Sequence, residues 1–138
     1  MKGISYHSKL CSADVAVQAI KSHDRVFMTG NCSVPKELLG ALVRRAPGLE
    51  DVEIDQVLTI GPAEYVEPRM QGHIRVNSLF ISANVRQAVN EGRADFTPIL
   101  LSQIPQALRD DPSLRYGLNT YDGQIVHPAL REAVGGGE

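Results

Sequence analysis

The chain has 138 residues, a formal net charge of −2 and 43% hydrophobic residues, the proportions of one compact globular domain. Aromatic residues make up only 5% and tryptophan is absent, which favours an aliphatic core in an α/β protein over an aromatic-rich β-sandwich. The 14 basic residues are scattered among 16 acidic ones, so the cationic cluster that nucleic-acid binding requires is missing, and we expect no nucleic-acid partner.

Helix and strand patterns alternate along the chain as far as residue 109. Helical spacing of apolar residues and helix-start residues predict helices over 13–23, 35–46, 85–92 and 102–109. Apolar and β-branched runs predict strands over 25–29, 52–60, 74–82 and 94–100. Ser12, Asn84 and Ser102 are the predicted N-caps, because their side-chain oxygens can accept hydrogen bonds from the first turn.

This order predicts the architecture of the first 110 residues. Strands separated by helices need crossovers, so we expect an α/β domain over residues 1–110, with an open, mostly parallel sheet and helices on both faces. The turn-rich segment 61–73 is long for a connector and is either a binding loop or a surface excursion. Residues 111–138 are predicted to be a divergent extension, with a hairpin or strand around Asp122-Gly123 and a short helix from Pro128.

The sequence predicts a cytoplasmic chain without a membrane partner. No apolar run is long enough to span a bilayer, and the first residues, MKGISYHSKL, lack a signal-peptide pattern. Cys11 and Cys32 form no metal-ligand pair and are expected to be small buried side chains. The four histidines are dispersed, so we expect no metal site.

Two loops are candidate ligand sites, because ligands of open α/β sheets gather at the carboxyl ends of the strands. In the loop after the first strand, Gly30 permits close backbone approach, and the next helix start suits a carboxylate, a phosphate or a developing oxyanion; an ordinary strand-to-helix turn explains the glycine equally well. After the third strand, Ser82 and Asn84 could contact a ligand, although helix capping alone would explain both.

Dinucleotide-binding and P-loop motifs are absent, and no Ser/His/Asp or Cys/His arrangement can be placed. The candidate carboxylates are Glu53, Glu64 and Glu67, but the sequence marks none of them as buried or paired. Residue patterns alone therefore indicate an α/β domain with an anion-binding loop and identify no catalytic residue.

Residues from about Ser12 to Leu108, above all VNEGRADFTPILLSQIP (89–105), closely resemble the N-terminal domain of the acetyl-CoA hydrolase/transferase family, and within it the 4-hydroxybutyrate CoA-transferases. The resemblance implies an enzyme that exchanges CoA between an acyl-CoA and a free carboxylic acid through a glutamyl-CoA thioester. It implies coenzyme A as a substrate and no tightly bound cofactor. Gly30, Asn31 and Pro35 match the family's glycine-containing turn, which lies near the acyl-transfer site in relatives.

The family's glutamate and most of its CoA-binding residues belong to a C-terminal domain that these 138 residues do not resemble. The tail GLNTYDGQIVHPALREA instead resembles the C-terminal end of alanine dehydrogenases, over too short a stretch to imply their activity. We therefore expect a truncated CoA-transferase of the 4-hydroxybutyrate or acetate type, inactive without a separate C-terminal half. The alternative is a non-catalytic interaction module that keeps the fold. Homo-oligomerisation through an uncovered apolar face is expected in both cases.

Overall fold

The computed structural model describes residues 10–110 in full and, beyond them, only the backbone of two strands. The α-helices are α1 (Ala13–Ala16), α2 (Lys36–Arg45), α3 (Arg86–Asn90) and α4 (Ile104–Asp110). The strands are β1 (Arg25–Met28), β2 (Val52–Gln56), β3 (Ile74–Ser78), β4 (Ala94–Phe96), β5 (Leu114–Leu118) and β6 (Ile125–Val126). Short 3-10 turns occupy Val17–Ala19, Asn31–Ser33, Ala46–Gly48, Glu64–Val66, Pro68–Met70 and Leu101–Gln103.

The strands form one sheet in the order β4-β3-β2-β1-β5-β6. Pairing is parallel from β4 through β5, and only β6 runs antiparallel to its neighbour. From β1 the chain adds β2, β3 and β4 successively on one side. It then crosses back, and β5 pairs with the other side of β1. β1 is therefore the topological switch point, the place where ligands bind in open α/β sheets.

Apolar and polar residues alternate along the strands, so the sheet has one apolar face and one polar face. Val26, Ile54, Val76 and Ala94 lie in neighbouring register positions, and all four are buried in the core with the apolar residues of α2. The connection from β4 to β5 passes back along the sheet, and the right-handed crossover rule therefore predicts that α4 lies on the face opposite to α2. The prediction of an open, mostly parallel sheet with helices on both faces is confirmed.

The polar face is linked across the strands by side-chain pairs. Arg25 on β1 pairs with Glu53 on β2 at 3.2 Å, and Arg75 on β3 pairs with Asp95 on β4. Between these pairs, Asn77 donates to Asp55 at 2.8 Å. Such cross-strand contacts stabilise a sheet whose face is not purely apolar.

Several predicted boundaries and caps are wrong. The second and third strands end at Gln56 and Ser78, four residues earlier than predicted, since the chain turns away in both places. Ser12 caps α1 as predicted. Asn84 caps no helix, because α3 begins after Val85 without a side-chain cap. Ser102 lies inside a 3-10 turn and is not an N-cap.

The sheet continues beyond residue 110. β5 pairs with β1, and the antiparallel register Gly117↔Val126 and Leu118↔Ile125 joins β6 to β5. The predicted turn at Asp122-Gly123 and the predicted helix from Pro128 lie outside the described residues. The predicted division at residue 110, with a divergent extension over 111–138, stays a prediction.

Candidate functional site

The loop that leaves β1 at the switch point is held against the loop that leaves β2. A Cβ atom at Gly30 would lie 2.3 Å from the Leu58 carbonyl oxygen, too close for any other residue without movement of the backbone. The Asn31 N–H donates to the same carbonyl at 2.6 Å. Gly30 is thus required by a close backbone approach, but the backbone that approaches it belongs to this chain.

The same loop presents its next side chains to solvent. Asn31 has a φ of 52°, in the left-handed region that asparagine tolerates better than most residues. The Thr29 hydroxyl donates to the Ser33 carbonyl at 2.6 Å and closes the turn. Asn31 and Cys32 are exposed, as is Cys11. The prediction that both cysteines are buried is wrong, because neither lies on the apolar face of an element.

The other predicted pair, Ser82 and Asn84, takes part in an internal hydrogen-bond network. Ser82 is buried, its hydroxyl lies 3.0 Å from Thr59 Oγ1, and it donates to Asn84 Oδ1 at 2.6 Å. Asn84 Oδ1 also accepts from Thr59 at 3.3 Å, while Asn84 Nδ2 donates to the Gly61 carbonyl at 3.0 Å. These side chains fix the loop after β3 to the loop after β2.

Sequence reasoning missed the inner part of this network. The Tyr65 hydroxyl donates to Gln56 Oε1 at 2.9 Å and lies 3.2 Å from Thr59 Oγ1, and Gln56 Nε2 donates to Ser78 at 3.2 Å. Burial raises the pKa of the Tyr65 phenol, so it is a neutral hydrogen-bond donor at neutral pH. The available signal was the presence of Gln56 and Thr59 next to the apolar residues Val57, Leu58 and Ile60, since buried polar groups need partners.

Segment 57–61 is the element that joins the two predicted site loops. Gly30 and Asn31 pack on Leu58, whereas Ser82 and Asn84 bond to Thr59 and Gly61. The four predicted residues are therefore arranged around one segment at the carboxyl edge of the sheet. Whether any of them contacts a substrate stays a prediction.

Exposed apolar residues follow the same strand ends. We call this set the apolar rim: it comprises Leu58, Ile60, Phe80, Phe96, Leu100 and Leu101. Leu100 and Leu101 are the most open, at 67% and 68% exposure. Exposed apolar residues that gather into one patch are typical of an interaction site.

The candidate carboxylates are all engaged in ion pairs. Glu53 pairs with Arg25 at 3.2 Å, while Glu64 and Glu67 both pair with Arg69, at 3.5 and 2.7 Å. Burial raises the pKa of Glu53, and the Arg25 guanidinium acts in the opposite direction. In the described part of the chain, no three His, Cys, Asp or Glu side chains converge to hold a metal ion. Within the same residues, no helix has both the length and the apolar character needed to cross a membrane.

The chain matches known proteins over most of its length. It is 36% identical over 105 residues to the 4-hydroxybutyrate coenzyme A transferase of Clostridium kluyveri, a match that covers 76% of this chain and 24% of that protein. It is 37% identical over 92 residues to the succinyl-CoA:acetate/propanoyl-CoA:succinate CoA transferase of Fasciola hepatica, covering 65% and 19%. This chain therefore spans about a quarter or less of the length of these relatives.

A solved structure supports the fold. RipA from Yersinia pestis superposes with a TM-score of 0.72 at 21% identity, over 83% of this chain and 29% of RipA. The model of the acetyl-CoA hydrolase/transferase N-terminal domain matches residues 2–116, which include all of β1 to β4. This chain belongs to the acetyl-CoA hydrolase/transferase family and carries its N-terminal domain.

Proposed function

We propose that this chain forms one wall of a CoA-transferase active site and acts only with a second polypeptide that supplies the remainder of the catalytic unit. The reaction is exchange of CoA between an acyl-CoA and a short carboxylic acid, of the 4-hydroxybutyrate or acetate type, with coenzyme A as a substrate and no tightly bound cofactor. The proposal includes the cytoplasmic location that the sequence predicts.

The observation that carries the proposal is the position of the loop at Gly30 and Asn31. It leaves β1 at the topological switch point of a sheet whose family exchanges or hydrolyses acetyl-CoA, and it presents the Asn31 side chain to solvent. A ligand at the carboxyl edge would meet this loop first.

Two further observations support a partner polypeptide. The three candidate carboxylates, Glu53, Glu64 and Glu67, are ion-paired, so none of them matches the free glutamate that the family resemblance implies. The apolar rim includes Leu58, which packs against Gly30, and its exposed residues offer a surface on which a second domain can pack. The match covers 24% of the Clostridium kluyveri enzyme, so that relative has enough additional chain for such a domain.

Reconstitution tests this proposal directly. The full 138-residue chain is mixed with the remaining three quarters of the Clostridium kluyveri enzyme, expressed separately, in the presence of acetyl-CoA and 4-hydroxybutyrate. Chromatography should detect 4-hydroxybutyryl-CoA only when both polypeptides are present. Activity of this chain by itself would contradict the requirement for a partner, and failure with this partner and with the products of neighbouring genes would overturn the proposal.

A matched pair of variants tests whether the second polypeptide binds at the apolar rim. Leu101→Asp places a charge in the apolar rim at an exposed position and should abolish reconstitution. Val15→Asp makes the same change at an exposed apolar residue of α1, outside the rim, and should leave reconstitution intact. Equal loss in both variants would show that the rim is not the contact surface.

The apolar rim also favours a second candidate function, a non-catalytic module that associates with itself. With Leu100 and Leu101 both about two-thirds exposed, a second copy can bury the rim as well as a foreign domain can. Sedimentation should then show an oligomer that Leu101→Asp converts to a monomer. A strictly monomeric wild-type chain would dispose of this candidate and of the homo-oligomer expected alongside the enzyme.

A further inference from the structure

A crevice between α2 and the segment that follows β2 adjoins the site described above through Ile60, a residue of the apolar rim. Its volume is about 140 Å³. Its walls are largely apolar and are formed by Val34, Leu39, Val43, Ile60, Pro62 and Tyr65. The Tyr65 hydroxyl is already bonded to Gln56, so the phenol's hydrogen-bonding capacity is used inside the core. Apolar space of this size holds a small hydrocarbon: an engineered cavity of about 150 Å³ in another protein takes up benzene.

Gly40 is one of the residues that line this crevice. It lies inside α2, where glycine is less stable than alanine because it loses more backbone entropy on folding. A Cβ atom at this position would meet only Arg44 Nη1, at 3.5 Å, which is an ordinary contact. Alanine would therefore fit without strain, and its methyl group would narrow the crevice that Gly40 lines. The glycine therefore contributes to the free space.

Lys36 adds a cation to the lining of the crevice. It is the first residue of α2, it is exposed, and its Cε lies 3.9 Å from the Cβ position of Gly61. Its ammonium group has no hydrogen-bond or ion-pair partner among the residues that the structure describes. The carboxylate that also lines the crevice, Glu64, is paired with Arg69 at 3.5 Å. An anionic group beside Lys36 would form an ion pair with its ammonium group. The positive end of the α2 helix dipole would strengthen this attraction.

We propose that this crevice binds a short aliphatic monocarboxylate of about four to six carbon atoms. The hydrocarbon chain occupies the apolar crevice and the carboxylate pairs with Lys36. The site is separate from the loop at Gly30 and Asn31, since neither residue lines it. Through Ile60 and Pro62 it touches the segment that joins the two site loops. Binding here requires neither CoA nor a second polypeptide, so it goes beyond the proposed function.

The test is a titration of the full, ¹⁵N-labelled chain with sodium pentanoate, followed by amide chemical shifts. Saturable shifts are expected at Leu39, Gly40 and Tyr65, which line the crevice. Acetate keeps the carboxylate without the hydrocarbon chain, and 1-pentanol keeps the chain without the charge. Each should bind at least tenfold more weakly than pentanoate. The absence of saturable shifts, or shifts confined to the loop at Gly30, would overturn the proposal.

Three variants separate the parts of the site. Gly40→Ala should weaken pentanoate binding at least fivefold without lowering the melting temperature. Lys36→Met should reduce pentanoate binding to the level of 1-pentanol while leaving 1-pentanol binding unchanged. Gly48→Ala is the control, because a Cβ atom there has no neighbour within 4 Å and Gly48 does not line the crevice. Wild-type affinity in either of the first two variants would refute the assignment. Failed reconstitution of CoA exchange would leave this result unaffected.

Discussion

The loop after β1 and the loop after β3 leave the same edge of the sheet, but they use their polar groups differently. At Gly30 and Asn31 the backbone packs on Leu58, and the Asn31 side chain makes no hydrogen bond to any described residue. At Ser82 and Asn84 the side chains themselves are bonded to Thr59 and to each other. A strand end therefore indicates where a ligand can approach, whereas internal hydrogen bonding decides which groups are available to it.

The largest expected effect is at the backbone contact of the first loop. In Gly30→Ala the new Cβ atom would lie 2.3 Å from the Leu58 carbonyl oxygen, so the loops must separate. We expect a loss of about 3 kcal/mol in the free energy of unfolding, measured by urea denaturation. Gly48→Ala adds the same methyl group in open space and should change stability by less than about 0.5 kcal/mol. Equal stability of the two variants would show that the loops are not in tight contact.

The next effect is at the inner end of the network that holds the second loop. Tyr65→Phe leaves Gln56 Oε1 without its donor in a fully buried position, and we expect a loss of about 2 kcal/mol. The phenol pKa is raised by burial above its ordinary value of 10.0. The contribution of Tyr65 is therefore complete below pH 10.0 and is lost as the pH rises through the higher folded-state value.

The pH dependence of stability provides a control for the Tyr65→Phe variant. Wild-type stability should decline more steeply than that of Tyr65→Phe in alkaline solution, because only the wild type must ionise this buried phenol. The difference between the two denaturation series isolates Tyr65 from the other tyrosines. Parallel decline of both proteins above pH 10.0 would contradict the buried, neutral phenol.

Sequence reasoning succeeded where local pattern and global topology agree. The buried runs around Val26, Ile54 and Val76 predict strands, and the helices between them require parallel pairing, which the sheet shows. It failed at strand ends, since Val57 and Leu58 continue the apolar run of β2 although the chain has already turned. The local pattern of apolar residues at Val57 and Leu58 does not differ from that of strand residues.

The sequence predicts that both candidate loops lie at one edge of the sheet, but it does not predict how they are held together. Both predicted loops lie at the carboxyl edge, but the bonding of Asn84 to Gly61 and Thr59 joins residues more than twenty positions apart. Such contacts depend on the path of segment 57–61, which was predicted to remain in a strand until residue 60. The exposure of Cys32 could not be predicted for the same reason. The orientation of a side chain in a turn depends on the long-range contact that holds the turn, here the contact with Leu58.

A smaller loss is expected at the outer end of the network. Asn84→Ala removes the acceptor of the Ser82 hydroxyl and the donor to the Gly61 carbonyl, but the position is partly exposed and water can replace these contacts. The free energy of unfolding should fall by about 1 kcal/mol. Asn90→Ala, an exposed asparagine at the end of α3, serves as the matched control and should remain within about 0.5 kcal/mol of the wild type. No difference between the two variants would indicate that Asn84 is free to contact a ligand.

The smallest effect on stability is expected at Asn31, where the contrast between the loops is sharpest. Its φ of 52° suits glycine, so Asn31→Gly should remain within about 0.5 kcal/mol of the wild type, whereas Asn31→Ala should lose about 1 kcal/mol to left-handed strain. If the exposed amide contacts substrate, Asn31→Gly will reduce CoA exchange in the reconstituted enzyme while leaving the fold unchanged. That combination cannot arise from a structural role. If glycine instead destabilises the chain as much as alanine does, the Asn31 amide is bonded internally like that of Asn84, and the first loop has no more free polar groups than the second.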